Sequence, residues 1–316
     1  MTAIAEQNRI DTYPTRGGEA RVLPREDKVV WGGEADGPLD QATLDHYEAT
    51  GYLAIDELVT PAELEELRAE LERLSADPAV RADERCIVEA KSQEVRSVFE
   101  VHKISEVFKR IANDPRVVGR ARQLLGSDVY IHQSRVNFKP GFEGKEFMWH
   151  SDFETWHAED GMPGMRAVSI SISLTDNYSF NGPLMIMPGS HKEYVSCDGA
   201  TPEDNYKKSL VMQGAGTPDK ATLTEFADRF GIDVLEGRAG GAIMFDSNCM
   251  HASNGNVTPF PRSNVFIVFN SVENAAQEPY AAAAPRPEFI GSTDFTPAGS
   301  SGASGVKQAA PGPAGP

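Results

Sequence analysis

Cysteine is scarce in this chain, and the three that occur lie far apart. Cys86, Cys197 and Cys249 form no Cys-x-x-Cys pair, and their number is odd. This pattern argues against both a disulfide framework and a zinc site built on thiolates. We expect buried, reduced thiols in a cytoplasmic protein. Cys249 lies two residues before His251, so we expect it near a site but not as a ligand.

Long apolar runs and an excess of positive charge are also missing. No run approaches the roughly 20 apolar residues that cross a bilayer. Glu6 and Arg9 interrupt the N-terminus, which predicts no secretory signal. The 30 Lys and Arg residues face 47 Asp and Glu residues, a net charge of -17 that would repel a phosphate backbone. We therefore expect neither a membrane nor a nucleic acid as partner, and the absence of Gly-x-Gly-x-x-Gly leaves a nucleotide cofactor unsupported.

Composition divides the chain into three parts. Residues 1–38 are polar and rich in Gly, Arg and Glu, which predicts an extended N-terminal arm. Residues 291–316 consist mainly of Gly, Ser, Ala and Pro, and their few apolar side chains cannot offset the entropy of ordering. We expect a disordered tail there, and a single domain over residues 39–290.

Helix signals concentrate in the first part of the chain. Residues 60–63 form a capping box with proline at the first helical position, and leucines then recur at helical spacing. This is the first strong helix signal. Asp114, followed by proline, predicts a second helix that ends at Gly126. A second capping box at Thr222 predicts a short helix that ends at Gly231.

Strand signals follow from Val129 onward, where the hydrophobic period changes to two. Gln133 and Lys139 fall on one polar face of the first predicted strand. Apolar residues alternate with serine over residues 168–174. Shorter apolar runs, each bounded by Gly, Asn, Ser or Pro, occupy residues 184–187, 242–245 and 265–269. Helices first and short strands afterwards favour an antiparallel sandwich or barrel with helices packed outside.

His150 and Asp152 are the most informative pair of polar residues. On an extended segment they point the same way, so an imidazole nitrogen and a carboxylate oxygen can meet one cation. A third ligand from a distant strand would complete the 2-His-1-carboxylate triad of non-heme Fe(II) enzymes. Such pairs also arise by chance, as His157-x-Glu159 illustrates, and the alternative is a surface or capping histidine.

His251 is the candidate third ligand. It follows the apolar run ending at Phe245 and lies 99 residues after Asp152, which leaves room for several strands to return to the same place. Arg262 directly precedes another predicted strand, where a guanidinium can clamp a carboxylate with two parallel hydrogen bonds. Without the triad, the simpler interpretation of Arg262 is a surface arginine.

Three further side chains are candidates for ligand binding. The polar strand face with Gln133 and Lys139 needs partners if it lies in an apolar core, and a ligand with carboxylates would supply them. The alternative is that this face looks at water. Trp156 can form a wall for a flat ring, against the alternative of ordinary core packing.

These residues lie in a longer pattern that resembles a known family. Residues 147–161, reading FMWHSDFETWHAEDG, closely resemble the signature of ectoine hydroxylases, a branch of the phytanoyl-CoA-hydroxylase-like Fe(II)/2-oxoglutarate dioxygenases. Segments 96–100, 181–191 and 245–253 are similar to the same family, and so is the arm over residues 11–31. The resemblance covers most of the chain and is far more specific than His-x-Asp alone.

The resemblance implies a fold and a set of site residues. The fold would be a double-stranded β-helix, a cupin-like jelly roll that is mainly β with flanking helices. The implied roles are iron ligation by His150, Asp152 and His251, 2-oxoglutarate binding by Lys139 and Arg262, and contact with ectoine by Gln133 and Trp156.

The function implied by the resemblance is hydroxylation of ectoine to 5-hydroxyectoine by a cytoplasmic homodimer, with O2 and 2-oxoglutarate consumed and succinate and CO2 released. Asp152 argues against a halogenase, because a halide would need the place of that carboxylate. Three alternatives stay open: a related dioxygenase acting on another small zwitterion, a non-enzymatic jelly-roll protein that binds an osmolyte or a sugar, and a zinc hydrolase with the same three ligands.

Overall fold

The computed structural model of the protein describes residues 10–89, 93–209 and 214–299. Within these ranges the helices are α1 Gln41–Thr50, α2 Pro61–Ala76, α3 Pro78–Arg81, α4 Val101–Ile104, α5 Glu106–Ala112, α6 Pro115–Leu125, α7 Asp152–Thr155, α8 Asn205–Ser209 and α9 Lys220–Phe230. The strands are β1 Arg21–Pro24, β2 Tyr52–Ile55, β3 Cys86–Val88, β4 Val95–Phe99, β5 Val129–Lys139, β6 Phe147–His150, β7 Ala167–Ser173, β8 Leu184–Ile186, β9 Glu193–Ser196, β10 Asp233–Leu235, β11 Ala242–Asp246, β12 His251–Ser253 and β13 Arg262–Ser271.

Two antiparallel sheets form the centre of the fold. The larger sheet has the strand order β2-β11-β7-β13-β5-β4-β3, and the smaller has the order β10-β8-β12-β6. Ile186 of the smaller sheet joins Phe245, Phe266 and Val268 of the larger sheet in one buried apolar cluster. The predicted antiparallel sandwich is confirmed, and the fold is the jelly roll that the resemblance implied.

The helices cover the outer face of the larger sheet. The alternation predicted for β7 is confirmed, since Ile170 and Ile172 share one buried cluster with the apolar residues of α2 and α6. Ser171 of the same strand lies at the cavity between the sheets, together with residues of the smaller sheet. One face of the larger sheet therefore builds the core with the helices, and the other builds a cavity. Among the described residues, no helix is long and apolar enough to cross a membrane.

Two of the three predicted helices begin where the sequence indicated, and one of them, α6, also ends where it was predicted to end. The Thr60 side chain accepts a hydrogen bond from the backbone N–H of Glu63 at the start of α2, and the capping box is complete. Asp114 caps α6, and Gly126 ends it in the left-handed conformation (φ 59°) that favours glycine.

One expectation about helices was wrong, and one helix was not predicted. Asp219, not Thr222, caps α9, because the Asp219 carboxylate accepts from the backbone N–H groups of Ala221 and Thr222. The helix still ends before Gly231. A further helix, α1, precedes the first strong signal, and it is capped by Asp40. Its polar sequence buries few side chains, which explains why the pattern did not reveal it.

The two ends of the chain pack more closely than composition predicted. Residues 10–38 include the strand β1, which pairs with β9, and they bury Tyr13 and Arg16. Residues 291–299 were expected to be disordered, yet the backbone N–H groups of Ser292 and Ala298 donate to carbonyls of β5. Backbone pairing stabilises a segment that is poor in apolar side chains. The remainder of the predicted tail, 300–316, lies outside the described residues, as do residues 1–9.

Candidate active site

The pairing of two short strands brings the predicted histidines together. His150 is the last residue of β6 and His251 the first of β12, and the two are direct partners in the antiparallel ladder. Asp152 lies at the start of α7, whose first turn is capped by Ser151. The extended segment predicted for His150 and Asp152 thus ends at Ser151, and the turn into the helix delivers the carboxylate. The three side chains converge at one point.

The ligand atoms of the three residues face one another. One atom from each of His150, Asp152 and His251 lies within 4.8 Å of the others. His150 Nε2 lies 3.5 Å from Asp152 Oδ1, and His251 Nε2 lies 3.9 Å from Asp152 Oδ2. The side chains are all buried or nearly so.

Hydrogen bonds at the far side of each imidazole determine which nitrogen faces the centre. Nδ1 of His150 donates to the Met148 carbonyl at 2.7 Å, and Nδ1 of His251 donates to the Cys249 carbonyl at 3.0 Å. In a neutral imidazole this leaves Nε2 as an acceptor. Two such nitrogens and a carboxylate then point at one another with no proton donor between them. The donor set fits a divalent cation with open positions, as in the 2-His-1-carboxylate sites of Fe(II).

The surroundings of Asp152 and His251 shift their pKa values toward the protonation states that bind a cation. Burial raises the pKa of the Asp152 carboxyl, but the neighbouring His251 and His150 outweigh burial and hold that pKa well below its usual value. Burial, followed by the charge of His150, lowers the pKa of His251 to about 4. Near neutral pH the carboxylate is therefore ionised and the His251 imidazole neutral, which are the protonation states that bind a metal.

A buried cationic cavity adjoins the three ligands. Its lining includes Lys139 and Arg262, which are direct partners on β5 and β13, together with His150 and His251. Burial, followed by the charges of Arg262 and Arg96, lowers the pKa of Lys139 to about 6. Burial lowers the pKa of Arg262 to about 10. Two basic side chains side by side, one buried and one partly buried, have no carboxylate partner in the described residues, which indicates a site for an anion.

The two cations differ in how many hydrogen bonds they have left for a ligand. Lys139 Nζ donates to Ser253 Oγ at 2.8 Å, to the Asn254 carbonyl at 2.6 Å and to the Gly182 carbonyl at 3.4 Å. Arg262 uses Nε toward Asn177 at 3.2 Å. Its two terminal nitrogens make no hydrogen bond within the described part of the chain, so they are available as a fork for a carboxylate.

A second cavity lies on the other side of the ligands and contains the remaining predicted residues. Gln133, Trp156 and Asp152 all line it. Gln133 Nε2 donates to the Ile290 carbonyl at 2.7 Å and its Oε1 accepts from Arg135 at 2.9 Å. Trp156 is almost fully buried. The predicted polar face of β5 therefore looks into the two cavities and not at water.

Sequence reasoning missed two arginines of the site. Arg135 lies between Gln133 and Lys139 on the same face of β5 and lines both cavities, with its guanidinium 4.4 Å from the Phe266 ring centroid. The alternation of β5 was a signal that could have identified it. Arg286 enters the second cavity from the C-terminal segment, where no periodic pattern pointed to it.

Arg286 belongs to a buried polar chain behind Trp156. It holds Asp160 with two hydrogen bonds of 2.7 and 2.5 Å, and the other contact of Asp160 is His132 Nε2 at 3.0 Å. The His132 ring meets Trp156 edge-on, with ring centroids 5.5 Å apart. The Arg286–Asp160 ion pair thus supports Trp156 through the His132 ring.

Comparison with known proteins agrees with this geometry. The chain matches the family model of phytanoyl-CoA dioxygenase over residues 47–264. An ectoine dioxygenase of Streptomyces coelicolor is 64% identical over 291 residues, which are 92% of this chain and 97% of the relative. An ectoine dioxygenase of Halomonas elongata is 53% identical over 283 residues, which are 89% of this chain and 85% of the relative.

Solved structures show the same architecture. The crystal structure of EctD from S. alaskensis with 2-oxoglutarate and 5-hydroxyectoine has a TM-score of 0.81 at 44% identity, covering 89% of this chain and 94% of that one. The structure of EctD with bound Fe has a TM-score of 0.82 at 43% identity, covering 92% and 97%. From the match to the family model and the identity to relatives along nearly their whole length, the chain belongs to the phytanoyl-CoA dioxygenase family.

Proposed function

We propose that the protein is an Fe(II)- and 2-oxoglutarate-dependent dioxygenase that hydroxylates ectoine to 5-hydroxyectoine. The observation that carries this proposal is the convergence of His150, Asp152 and His251 between two cavities of different character. One cavity suits a dicarboxylate and the other a small polar ring. The relatives named ectoine dioxygenase, and the EctD structure that holds 2-oxoglutarate and 5-hydroxyectoine, support the assignment of these ligands.

His150, Asp152 and His251 would hold the iron through two imidazole nitrogens and one carboxylate oxygen. When bound there, ferrous iron and 2-oxoglutarate supply the oxidising chemistry that inserts one atom of O2 into a carbon–hydrogen bond, while 2-oxoglutarate becomes succinate and CO2. The backbone carbonyls at Met148 and Cys249 keep both Nε2 atoms directed at the centre.

Arg262 and Lys139 would bind the distal carboxylate of 2-oxoglutarate. The free fork of Arg262 offers two parallel hydrogen bonds, and Lys139 adds a positive charge beside it. Phe245, Phe266 and Leu184 provide the apolar part of the lining. They exclude water from the reacting centre and strengthen the interaction of the two cations with the carboxylate.

Gln133 and Trp156 would bind ectoine in the second cavity. Ectoine is a zwitterion with a carboxylate and a cationic ring, and this cavity presents both arginine and carboxylate side chains. The Trp156 ring offers an aromatic face to the ring cation, and the amide of Gln133 offers a polar contact. Asp152, which would hold the iron, lines the same cavity as Gln133 and Trp156.

The decisive experiment supplies purified protein with Fe(II), 2-oxoglutarate, O2 and ectoine. We expect succinate and 5-hydroxyectoine to form in equal amounts. Asp152→Ala should abolish both products, whereas Asp45→Ala, on the exposed face of α1, should leave both unchanged. Succinate formed with another zwitterion but not with ectoine would favour a related dioxygenase, and ligand binding without O2 consumption would favour a binding protein. Hydrolysis dependent on zinc would favour a hydrolase.

We further propose that the enzyme works as a homodimer in the cytoplasm, as the resemblance implies. All three cysteines are buried and free, which suits a reducing compartment. Light scattering on the purified protein should give a mass twice that of the chain, and a monomer would refute the dimer. Fractionation of producing cells should place the protein with the cytoplasmic enzymes.

A further inference from the structure

We infer that Arg16, in the N-terminal arm, is a positioning residue for the substrate of the reaction proposed above. Its side chain is fully buried, and the two carboxylates that it contacts lie 138 and 143 positions later in the sequence. Nε and Nη2 donate to the two carboxylate oxygens of Glu154 at 2.8 and 2.7 Å. Nη1 donates to Glu159 at 2.5 Å and to Thr201 at 3.0 Å. Arg16 thus joins three parts of the chain.

The two carboxylates flank the wall of the substrate cavity. Glu154 lies in α7, two residues after Asp152, and Glu159 lies in the single turn of π-helix Trp156–Asp160 that follows directly. Hydrogen bonding of the i→i+5 type widens this turn, so residues five apart come to the same side of the helix. A regular α-helix would separate them. Because Arg16 bonds both Glu154 and Glu159, its guanidinium favours the wider turn.

The contacts of Arg16 hold the backbone on both sides of Trp156. Thr155 and Trp156 lie between the two carboxylates in sequence and line the substrate cavity. Trp156 is the first residue of the π turn, and it is held on both sides in sequence, by Glu154 before it and Glu159 after it, which both bond Arg16. Trp156 therefore depends on Arg16 for its orientation, although the two side chains share no hydrogen bond in the described structure.

The same guanidinium fixes a loop above the cavity. Glu159 accepts from Asn205 at 2.7 Å on the oxygen that also accepts from Arg16, and Asn205 lines the cavity. Thr201, another partner of Arg16, lies in the loop that leads to Asn205, the first residue of α8. There is no spare room around the contact, since a Cβ at Gly216 would lie 2.3 Å from the Glu154 carboxylate and 2.7 Å from Arg16.

Burial makes Arg16 necessary for this arrangement. Glu154 and Glu159 are only 1% and 2% exposed, and two buried carboxylates without a cation would repel each other and demand water. Removing the guanidinium therefore loosens the helix and the loop that enclose the substrate. The 2-oxoglutarate cavity is lined mainly by β5, β12 and β13, and none of its lining residues is a hydrogen-bond partner of Arg16.

The test compares Arg16→Gln and Arg16→Lys with the unaltered protein in the assay for succinate and hydroxyectoine. In Arg16→Gln we expect the KM for ectoine to rise about tenfold or more, because the charge-assisted bonds to Glu154 and Glu159 that hold the cavity wall are lost. The KM for 2-oxoglutarate should change by less than about twofold. The ratio of succinate to hydroxyectoine should rise above one, because a loosely bound ectoine ring is hydroxylated less often for each 2-oxoglutarate consumed. Arg16→Lys keeps the charge but not the fork, and should restore part of the affinity.

Arg21→Gln is the matched control, because Arg21 lies in the same arm with an exposed side chain on β1. It should leave both KM values unchanged. If Arg16→Gln does not fold, Arg16→Lys and Thr201→Ala carry the same comparison. Equal changes in both KM values, or a fall in kcat alone, in the variants that fold would overturn the inference. Failure of the unaltered protein to make hydroxyectoine would instead refute the proposed function, so the two failures are distinguishable.

Discussion

The affinity for 2-oxoglutarate should depend on pH through Lys139. This side chain is 5% exposed, and burial together with Arg262 and Arg96 lowers its pKa from an ordinary 10.5 to about 6 in the absence of a ligand. Lys139 is therefore mostly neutral at pH 8. A bound carboxylate beside Nζ favours the ammonium form, so it raises this pKa again.

The size and the sign of the effect follow from proton linkage. Above pH 6 the free protein lacks the proton that the complex carries, so binding takes up one proton. The KM for 2-oxoglutarate should then rise with pH, by at most about tenfold for each pH unit, until the pKa of the complex is reached. Arg262 contributes little to this slope, because its pKa of about 10 keeps it charged throughout.

The assay measures the KM for 2-oxoglutarate from about pH 7.5 to 9, above the ordinary imidazole pKa of about 6.5. Lys139→Met should bind 2-oxoglutarate more weakly and show a flat pH profile. Arg262→Lys should also bind more weakly, since the fork is lost, but should keep the slope. A KM that is flat in the unaltered protein, or that falls as pH rises, would refute the role of Lys139 as a titrating partner of the carboxylate.

Three further predictions concern the metal and the stability of the fold. Asp152→Asn should reduce the iron retained per chain to a small fraction, as measured by metal analysis, and full retention would contradict the ligand assignment. Leu124→Ala should lower the free energy of unfolding by about 3 kcal/mol in urea, because Leu124 is fully buried in the helix-covered core. Gly161→Ala should cost about 2 kcal/mol or more, since the residue has φ 74° and a Cβ would lie 2.2 Å from the Gln277 carbonyl oxygen. Gly199→Ala, with φ 96° but nothing within 4 Å, should cost only about 1 kcal/mol, and equal losses at the two glycines would contradict the role of the close contact.

Features that depend on local sequence could be predicted, and those that depend on distant partners could not. The alternation of β5 identified the side of the strand that carries Gln133 and Lys139, because one face of a strand is set by a period of two. The cap of α2 could also be predicted, because Thr60 and its partner Glu63 are only three residues apart in the sequence. Asp219 was missed as a cap because the capping box at Thr222, three residues later, gave the same kind of local signal.

The site needed information that no local pattern contains. That His251 lies opposite His150 follows from the register of β12 against β6, which is fixed by pairing across about a hundred residues. The resemblance to a family supplied this pairing, whereas the spacing alone only permitted it. Residues 291–299 likewise are held by backbone hydrogen bonds to β5, and composition gives no indication of such bonds.

The segment 147–161 contains two proposed metal ligands, His150 and Asp152, and its other residues help to place them. Its acidic residues suggest a solvated surface when taken alone, yet Glu154, Glu159 and Asp160 are all buried. Their partners come from opposite ends of the chain: Arg16 from the N-terminal arm and Arg286 from the C-terminal segment. The ion pairs of these carboxylates therefore hold α7 and the π turn that follows it in position. The proposed iron ligand Asp152, at the start of this helix, and Trp156, in its middle, therefore depend for their placement on contacts from the N-terminal arm and from the C-terminal segment.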